Sequence, residues 1–387
     1  MGSNLFNWKE PELLEGPGSV KNLPAFIKAK GLSKPLIVTD KGLTALKLLD
    51  GMCDEFDKEN IKYVIFDDVQ PNPTIANVDD AKECYEKNGC DCIVAFGGGS
   101  PMDTAKAAGA RVSNPGISVR KMQGILKIRK PLPPLFAVPT TAGTGSEVTL
   151  AAVITDEATH NKYPINDPKL RPGYAVLDPE LTTGLPPHIT STTGMDALTH
   201  AVEAFIGRSN VANTEEYAEK AVRMIFKNIE TAYNDGKNIE ARYNMLKASY
   251  YAGMAFTRAY VGYVHAIGHS LGGFYHVPHG YAMSIILPYV LEYYGSAAYD
   301  RLAVLADIAG LDTTGKSTSE KAQVFISEIK AMNARMNIPD HIDGIKSEDI
   351  HTLAQRAIKE SNPLYPVPKI MDFDECCEII KKIGQID

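Results

Sequence analysis

The sequence predicts an α/β amino-terminal domain, residues 1–185, with a parallel Rossmann-like sheet, followed by an all-α domain, residues 186–387. Three observations carry this reading. Short β-branched runs alternate with helix-periodic stretches through the first half, the pattern of strands covered on both faces. From about Ile189 onward nearly every segment repeats its apolar residues at three and four, as helices do. Between the two parts stands Leu185-Pro186-Pro187, which reads as a hinge because consecutive prolines resist both helix and central strand. At 387 residues, with 44% hydrophobic and 22% charged residues, the chain is long enough for two such cores.

The strands are expected at PLIVTD (Pro35 to Asp40), KYVIFDD (Lys62 to Asp68), DCIVAFGGGS (Asp91 to Ser100) and LFAVPTT (Leu135 to Thr141), with further ones at AAVITD (Ala151 to Asp156) and YAVLDPE (Tyr174 to Glu180). GLTALKLLDGMCDEFDKEN and NVDDAKECYEKNG supply helices between them. The later helices include MDALTHAVEAFI, TEEYAEKAVRMIFKNIETAYND and EARYNMLKASYYAGMAFTRAY. A cleft between two domains is the default place to seek a site.

Composition excludes several classes. The net charge of −7 comes from 40 basic and 47 acidic residues without long runs of one sign, so neither a nucleic-acid face nor a basic membrane-surface helix is expected. The first residues, MGSNLFNWKEPELLEG, lack the apolar centre of a signal peptide, and no apolar run is long enough to span a bilayer. The six cysteines form no C-x-x-C pair, which points away from a zinc knuckle or a disulfide framework and towards a reduced, cytoplasmic enzyme.

Three polar loops suit a dinucleotide. Gly97, Gly98, Gly99 and Ser100 follow a buried strand and open a helix, where free N–H groups and the helix dipole attract phosphate. Ser100 is expected to cap that helix, with Pro101 first and Asp103 third in a start resembling a capping box. The alternative is a bare glycine turn, and the motif is not G-x-G-x-x-G. Asp40, ending a strand, can accept hydrogen bonds from a ribose and repel a 2′-phosphate, favouring NAD over NADP; equally, it can start a turn before Lys41. The third loop, Pro139 to Thr149, offers hydroxyls from Thr140, Thr141, Thr144 and Ser146 to a cofactor, or to its own backbone.

Four of the nine histidines fall within VHAIGHSLGGFYHVPHG, Val264 to Gly280. His265 and His269 are four apart, as are Asp196 and His200 in GMDALTHAVEAF, and residues so spaced share a helix face. His279 sits in a proline–glycine turn, and the glycines and proline before it are expected to bring it back to the others. One Asp with three His suits Fe(II), Zn or a similar divalent ion. Spacing alone leaves open which of His265, His269 and His276 are ligands, and each histidine taken singly can be a satisfied core residue.

GGGSPMDTAK at 97–106, TTAGTGSEVT at 140–149, TGMDALTHAVEAF at 193–205, and GYVHAIGH with PHG at 262–280 together resemble the iron-containing (type III) alcohol dehydrogenases. The likeness spans nearly the whole chain. It implies a dinucleotide-binding domain, a helical metal domain, and NAD-linked interconversion of a primary alcohol and its aldehyde, the metal acting as Lewis acid on the substrate oxygen. Carried over residue by residue, it implies Asp196, His200, His265 and His279 as metal ligands, with His269 beside them as a proton-moving group. Gly97, Gly98, Gly99 and Ser100 then hold pyrophosphate, with Asp103 and Ser146 beside that site. Thr140, Thr141 and Thr144 line the nicotinamide, Lys162 and Asn72 approach the ribose and adenosine, and Asp40 sets the NAD preference. The family also implies a homo-oligomer, a dimer or larger.

Departures from the family pattern are Thr257 and Arg258 where asparagines are frequent, and Gly268 where alanine is common. Apolar Ala151 and Phe256 at pocket positions hint at a simple aliphatic alcohol. The competing readings are a polyol (1,3-propanediol or glycerol type) dehydrogenase, a dehydroquinate-synthase-like lyase, and a metal-binding sensor without catalysis. Absence of Lys and Arg from His265 to His279 argues against the lyase, which needs a basic phosphate pocket.

Overall fold

The computed structural model describes residues 10–159 and 161–386. The first nine residues, on which part of the amino-terminal reading rests, lie outside it. The chain divides into two compact units. One comprises the residues up to Thr141 together with Ser146–Thr183; the other comprises Ala142–Gly145 and the residues from Gly184 onward.

In the first unit, strands β1 (Glu12–Glu15), β2 (Pro35–Val38), β3 (Val64–Phe66), β4 (Cys92–Gly97), β6 (Leu135–Pro139) and β9 (Tyr174–Leu177) form one sheet in the order β1-β9-β6-β4-β2-β3. Every pairing in it is parallel. The continuous apolar runs explain this, since all residues of β2, β4 and β6 are buried, as a sheet covered on both faces requires. Along β4 the side chains alternate. Cys92, Val94 and Phe96 join Leu23, Ile27 and Phe56 in one core, and Ile93 and Ala95 join Tyr85, Met102 and Ala105 in another. Each fully buried large apolar side chain contributes roughly 1.5–3 kcal/mol.

The helices of this unit are α1 (Leu23–Ala29), α2 (Lys41–Ala45), α3 (Asp50–Lys58), α4 (Ile75–Asn88), α5 (Gly99–Ser113) and α6 (Val119–Met122). α4 starts in a capping box between Thr74 and Asn77 and stops at Gly89, whose φ of 62° is left-handed. AAVITD is a strand, but it belongs to a second, three-stranded sheet. There β7 (Ala151–Asp156) runs antiparallel to β8 (Asn161–Asn166), and β5 (Gly124–Ile125) runs parallel to β8. Its alternation of buried and half-buried residues marks a strand with one covered face.

The second unit is helical: α7 (Pro187–Ile206), α8 (Ala212–Asn234), α9 (Ile239–Ala259), α10 (Tyr263–Tyr275), α11 (His279–Tyr294), α12 (Tyr299–Ile308), α13 (Thr318–Arg335), α14 (Ile350–Ser361) and α15 (Phe373–Gly384). One apolar core runs through it, including Leu198, Val202, Ile225, Leu246, Ile267, Ile286, Phe325 and Leu353. The two prolines expected to form a hinge follow the change of unit at Thr183 and Gly184 and, although consecutive prolines were expected to resist helix, they start one. Pro186 precedes α7 and Pro187 is its first residue, where a missing N–H costs nothing.

Candidate metal centre and cofactor loops

α7 brings the first site residues together. Asp196 and His200 lie one turn apart, both buried, and Glu203 follows on the same face. The first turns hold their register through hydroxyls, Thr190, Thr192 and Thr193 each bonding a carbonyl four residues back. Gly194 lets α7 pack closely, because a Cβ there would stand 2.7 Å from the Ile229 side chain.

α10 supplies His265 and His269 and ends at His276, which adopts a left-handed conformation with φ 57°. Val277 and Pro278 then lead into α11, whose first residue is His279. The turn is therefore His276 to Pro278, whereas Gly272 and Gly273, expected to contribute to it, lie inside α10. Gly280 permits the approach of α11 to α7, since a Cβ there would meet the Thr192 carbonyl oxygen at 2.5 Å. His276 is exposed.

Asp196 Oδ1 is the hub. It lies 3.4 Å from His279 Nε2, 3.9 Å from His265 Nε2 and 3.9 Å from His200 Nδ1. Ligand atoms of Asp196, His265 and His279 all fall within 4.8 Å of one another. His200 joins them through Asp196, and its ring stacks on His265 at 4.4 Å and on Phe256 at 4.0 Å. Two ligands about 2.1 Å from one tetrahedral ion stand about 3.4 Å apart, so this spacing fits a divalent cation. Asp196 Oδ1, His200 Nδ1 and His265 Nε2 are buried and have no hydrogen-bond partner among the described residues. Buried polar atoms are nearly always paired, so three orphans facing one another are the mark of a cation site.

The electrostatics agree. Burial alone would raise the Asp196 carboxyl, but His200, His279 and His265 hold it well below its ordinary range. Burial pushes His200 down to about 3 and His265 well below its usual value, leaving both as neutral imidazoles able to ligate.

Two carboxylates that the sequence reading missed complete the picture. Glu203 Oε2 lies 2.6 Å from His265 Nδ1, and Oε1 accepts the Val264 N–H at 2.8 Å. Burial raises this carboxyl to about 7, against the N–H groups of Gly262 and Val264. A proton on His265 Nδ1 leaves Nε2 as the free lone pair, aimed at Asp196. Glu203 was findable from its place seven residues after Asp196. Glu360, on α14, lies 2.7 Å from His269 Nδ1, and no local pattern announces that pair. His269 itself stacks on His279 at 5.3 Å.

In the first unit the expected cofactor residues gather mainly at the carboxyl ends of β4 and β6. Gly97 has φ 148°, and a Cβ on it would strike Pro101 at 2.6 Å. Thr140 is buried and its N–H bonds the Gly97 carbonyl, while Thr141 borders Gly98. α5 begins at Gly99 with Gly98 as its cap, so Ser100 is inside the helix and caps nothing. A glycine cap leaves the first N–H groups without a side-chain partner, as a phosphate cradle needs.

Asp103 does not close a capping box. Its carboxylate accepts the Ser146 hydroxyl at 3.1 Å and the Val153 N–H at 3.0 Å. Beneath it, fully buried Lys106 donates to Ser146 Oγ, to Thr149 and to the Ala151 carbonyl. Asp40 caps α2, its side chain accepting the Leu43 N–H. Asn72, at φ 58°, accepts from Lys162 Nζ at 2.9 Å, so those two predicted residues meet. Thr144 belongs to the second unit, in the segment where Gly145 bonds Ser249 Oγ.

Comparison with known proteins agrees with this geometry. The profile of iron-containing alcohol dehydrogenases matches residues 11–179, and that of the family's C-terminal domain matches residues 190–384. The 1,3-propanediol dehydrogenase of Citrobacter freundii is 39% identical, the match covering 99% of this chain and 100% of that protein. The solved alcohol dehydrogenase from Oenococcus oeni superposes with a TM-score of 0.94 at 38% identity, over 98% of this chain and 100% of its own. The sulfoacetaldehyde reductase from Bifidobacterium kashiwanohense, solved with NAD+, gives 0.87 at 30% identity over 99% and 100%. Fold, motifs and full-length similarity together place this chain in the iron-containing alcohol dehydrogenase family, whose members are oxidoreductases interconverting alcohols and aldehydes.

Proposed function

We propose that this chain interconverts a primary alcohol and its aldehyde with NAD, using a divalent cation, iron first and zinc as the alternative, held by Asp196, His200, His265 and His279. The observation that carries the reading is the convergence of three orphaned, buried ligand atoms on one point, with the fourth ligand, His279, 3.4 Å from Asp196. When bound, the cation supplies Lewis acidity toward the substrate oxygen and the nicotinamide supplies the hydride acceptor. The protein's own residues do the rest. Glu203 orients His265 through Nδ1. Phe256, flat against His200, excludes water from one side of the cage and presents an apolar wall to the substrate. His269, beside His279, takes the alcohol proton on its imidazole.

In the first unit, the glycine-capped start of α5 with Gly97, Gly98, Gly99 and Ser100 suits the pyrophosphate. Asp40 suits the ribose, disfavouring the 2′-phosphate of NADP, with Asn72 and Lys162 near the adenosine side. Thr140, Thr141 and Thr144 offer hydroxyls to the nicotinamide. Asp103 and Ser146 support that loop through their mutual hydrogen bond. Residues 1–185 are read as the cofactor domain and 186–387 as the metal domain. The enzyme is read as a cytoplasmic homo-oligomer, which sedimentation and fractionation test.

Protein purified without air and loaded with Fe(II) should produce NADH from primary alcohols, and replacing Asp196 with asparagine should abolish both the activity and the bound metal. Silence with every alcohol and aldehyde after anaerobic loading would overturn the assignment. A second substrate reading, 1,3-propanediol, is favoured by the full-length similarity to a protein of that activity. Comparing kcat/KM for 1,3-propanediol and 1-propanol decides between them, the Phe256 wall favouring the monohydric alcohol.

A further inference from the structure

His269 reaches into the site from α10, but the groups that hold it come from the far end of the chain. Its Nδ1 lies 2.7 Å from Glu360 Oε1 on α14, and that same oxygen accepts the Tyr365 hydroxyl at 2.7 Å. The contact is built into the packing. Ser270, the next residue of α10, donates to the Leu353 carbonyl of α14 at 2.9 Å, fixing the two helices side by side. Tyr365 is held by its own backbone, its N–H bonding the Ser361 carbonyl that ends α14. On its other side His269 faces the candidate ligands, stacked on His279 at 5.3 Å and edge-on to His265 at 5.8 Å.

A histidine beside a cation site has two failure modes. It can swing in and become a fifth ligand, or it can carry its neutral proton on the wrong nitrogen. An acceptor fixed on Nδ1 prevents both, because it anchors the ring and leaves Nε2 as the basic atom. We propose that Glu360, clamped by Tyr365, is the positioning residue of His269, holding the Nδ1–H so that Nε2 receives the proton released from the alcohol hydroxyl. The step is a proton transfer only: the O–H bond breaks, an Nε2–H bond forms, and the carboxylate balances the imidazolium charge until the proton leaves to water. This rests on the reading of His269 as the proton-moving group.

The test uses the full-length protein and the variants Glu360→Leu, Tyr365→Phe and His269→Ala; leucine is chosen because the amide oxygen of glutamine would still accept from both His269 and Tyr365. Glu360→Leu should lower kcat roughly 10- to 100-fold, as loss of an orienting partner does, with KM for NAD and alcohol and the bound metal per chain unchanged. Nitrogen-15 spectra of histidine-labelled, metal-free protein should show the His269 Nδ1–H form depleted in Glu360→Leu. Tyr365→Phe, which keeps the carboxylate and the aromatic packing, should give a smaller loss of the same kind. A lowered kcat in His269→Ala together with wild-type kcat and ring spectra in Glu360→Leu would overturn this proposal alone. An unchanged kcat in metal-replete His269→Ala would instead remove the proton-moving role itself. Loss of metal in Tyr365→Phe or Glu360→Leu would make the pair part of the cation cage and equally refute the positioning role.

Discussion

Replacing Glu203 with glutamine tests whether a buried carboxylate sets which nitrogen of His265 meets the cation. In the wild-type chain Oε1 takes the N–H of Val264 at 2.8 Å, and Oε2 faces His265 Nδ1 at 2.6 Å. An amide of the same shape has one oxygen and one donor. If the oxygen stays on the backbone, the NH2 faces Nδ1, which must then accept, moving the ring proton to Nε2 and blocking the ligand atom. If the oxygen turns to Nδ1, the NH2 opposes the Val264 N–H and leaves buried donors unsatisfied, at about 1–3 kcal/mol. Either arrangement weakens the cation by an amount of the size seen for such orienting partners, roughly 10- to 100-fold, or about 1.4–2.8 kcal/mol. Competition between the protein and a chromophoric chelator for Zn(II) measures it, with thermal denaturation of the metal-free proteins as control. Unchanged affinity in a variant that melts like the wild type would refute the reasoning, because the Nδ1 partner would then be irrelevant to the ligand atom.

Further outcomes follow from the same contacts. A Cβ at Gly262 would lie 2.7 Å from Glu203 Oε1, so Gly262→Ala should displace the carboxylate and weaken Zn(II) in the same chelator assay, with a packing cost of about 1–3 kcal/mol in urea. Gly145 combines a φ of +59° with backbone atoms of Gly253 and Ser249 that would stand within 2.9 Å of an added methyl, and Gly145→Ala should cost about 2–4 kcal/mol or prevent soluble expression. Glu147 is buried beside Lys106, and burial raises its carboxyl from 4.5 to about 7. The folded chain therefore holds a proton that the unfolded chain releases, so this group stabilises below pH 4.5 and loses that contribution as pH rises to about 7. In metal-free protein the stability of wild type relative to Glu147→Gln should fall across that window by up to about 3 kcal/mol, and a flat difference would contradict the assignment.

Much of the architecture could be read in advance because its causes are local. β4 is a continuous apolar run that ends in glycines, and Asp196 with His200 is a helical repeat. Local signals mislead where one residue type has two outlets. Ser100 looks like a cap, but the chain turns one step earlier, on Gly98, and Asp103 is drawn instead to Ser146 and Val153. AAVITD has the composition of any strand, and only its partner β8 puts it in a separate antiparallel pair. The division of labour among the four clustered histidines depends on tertiary contacts: His276 turns out at the end of α10, while His269 is taken by Glu360. That last pair joins two helices far apart in the chain, so neither motif nor periodicity foreshadows it.

α7 has one more consequence, for the lengths this chain can tolerate. Asp196, His200 and Glu203 share a face only because three and four residues close a helical turn. Adding or removing a single residue between them would rotate everything beyond it by about 100° and carry one of the three out of the cage. The turn at residues 276–278 is constrained differently, by where its ends must arrive. Every residue of α7 from Gly194 to Ile206 is buried, so packing limits the size of each side chain there, while the helical repeat fixes the residue count from Asp196 to Glu203.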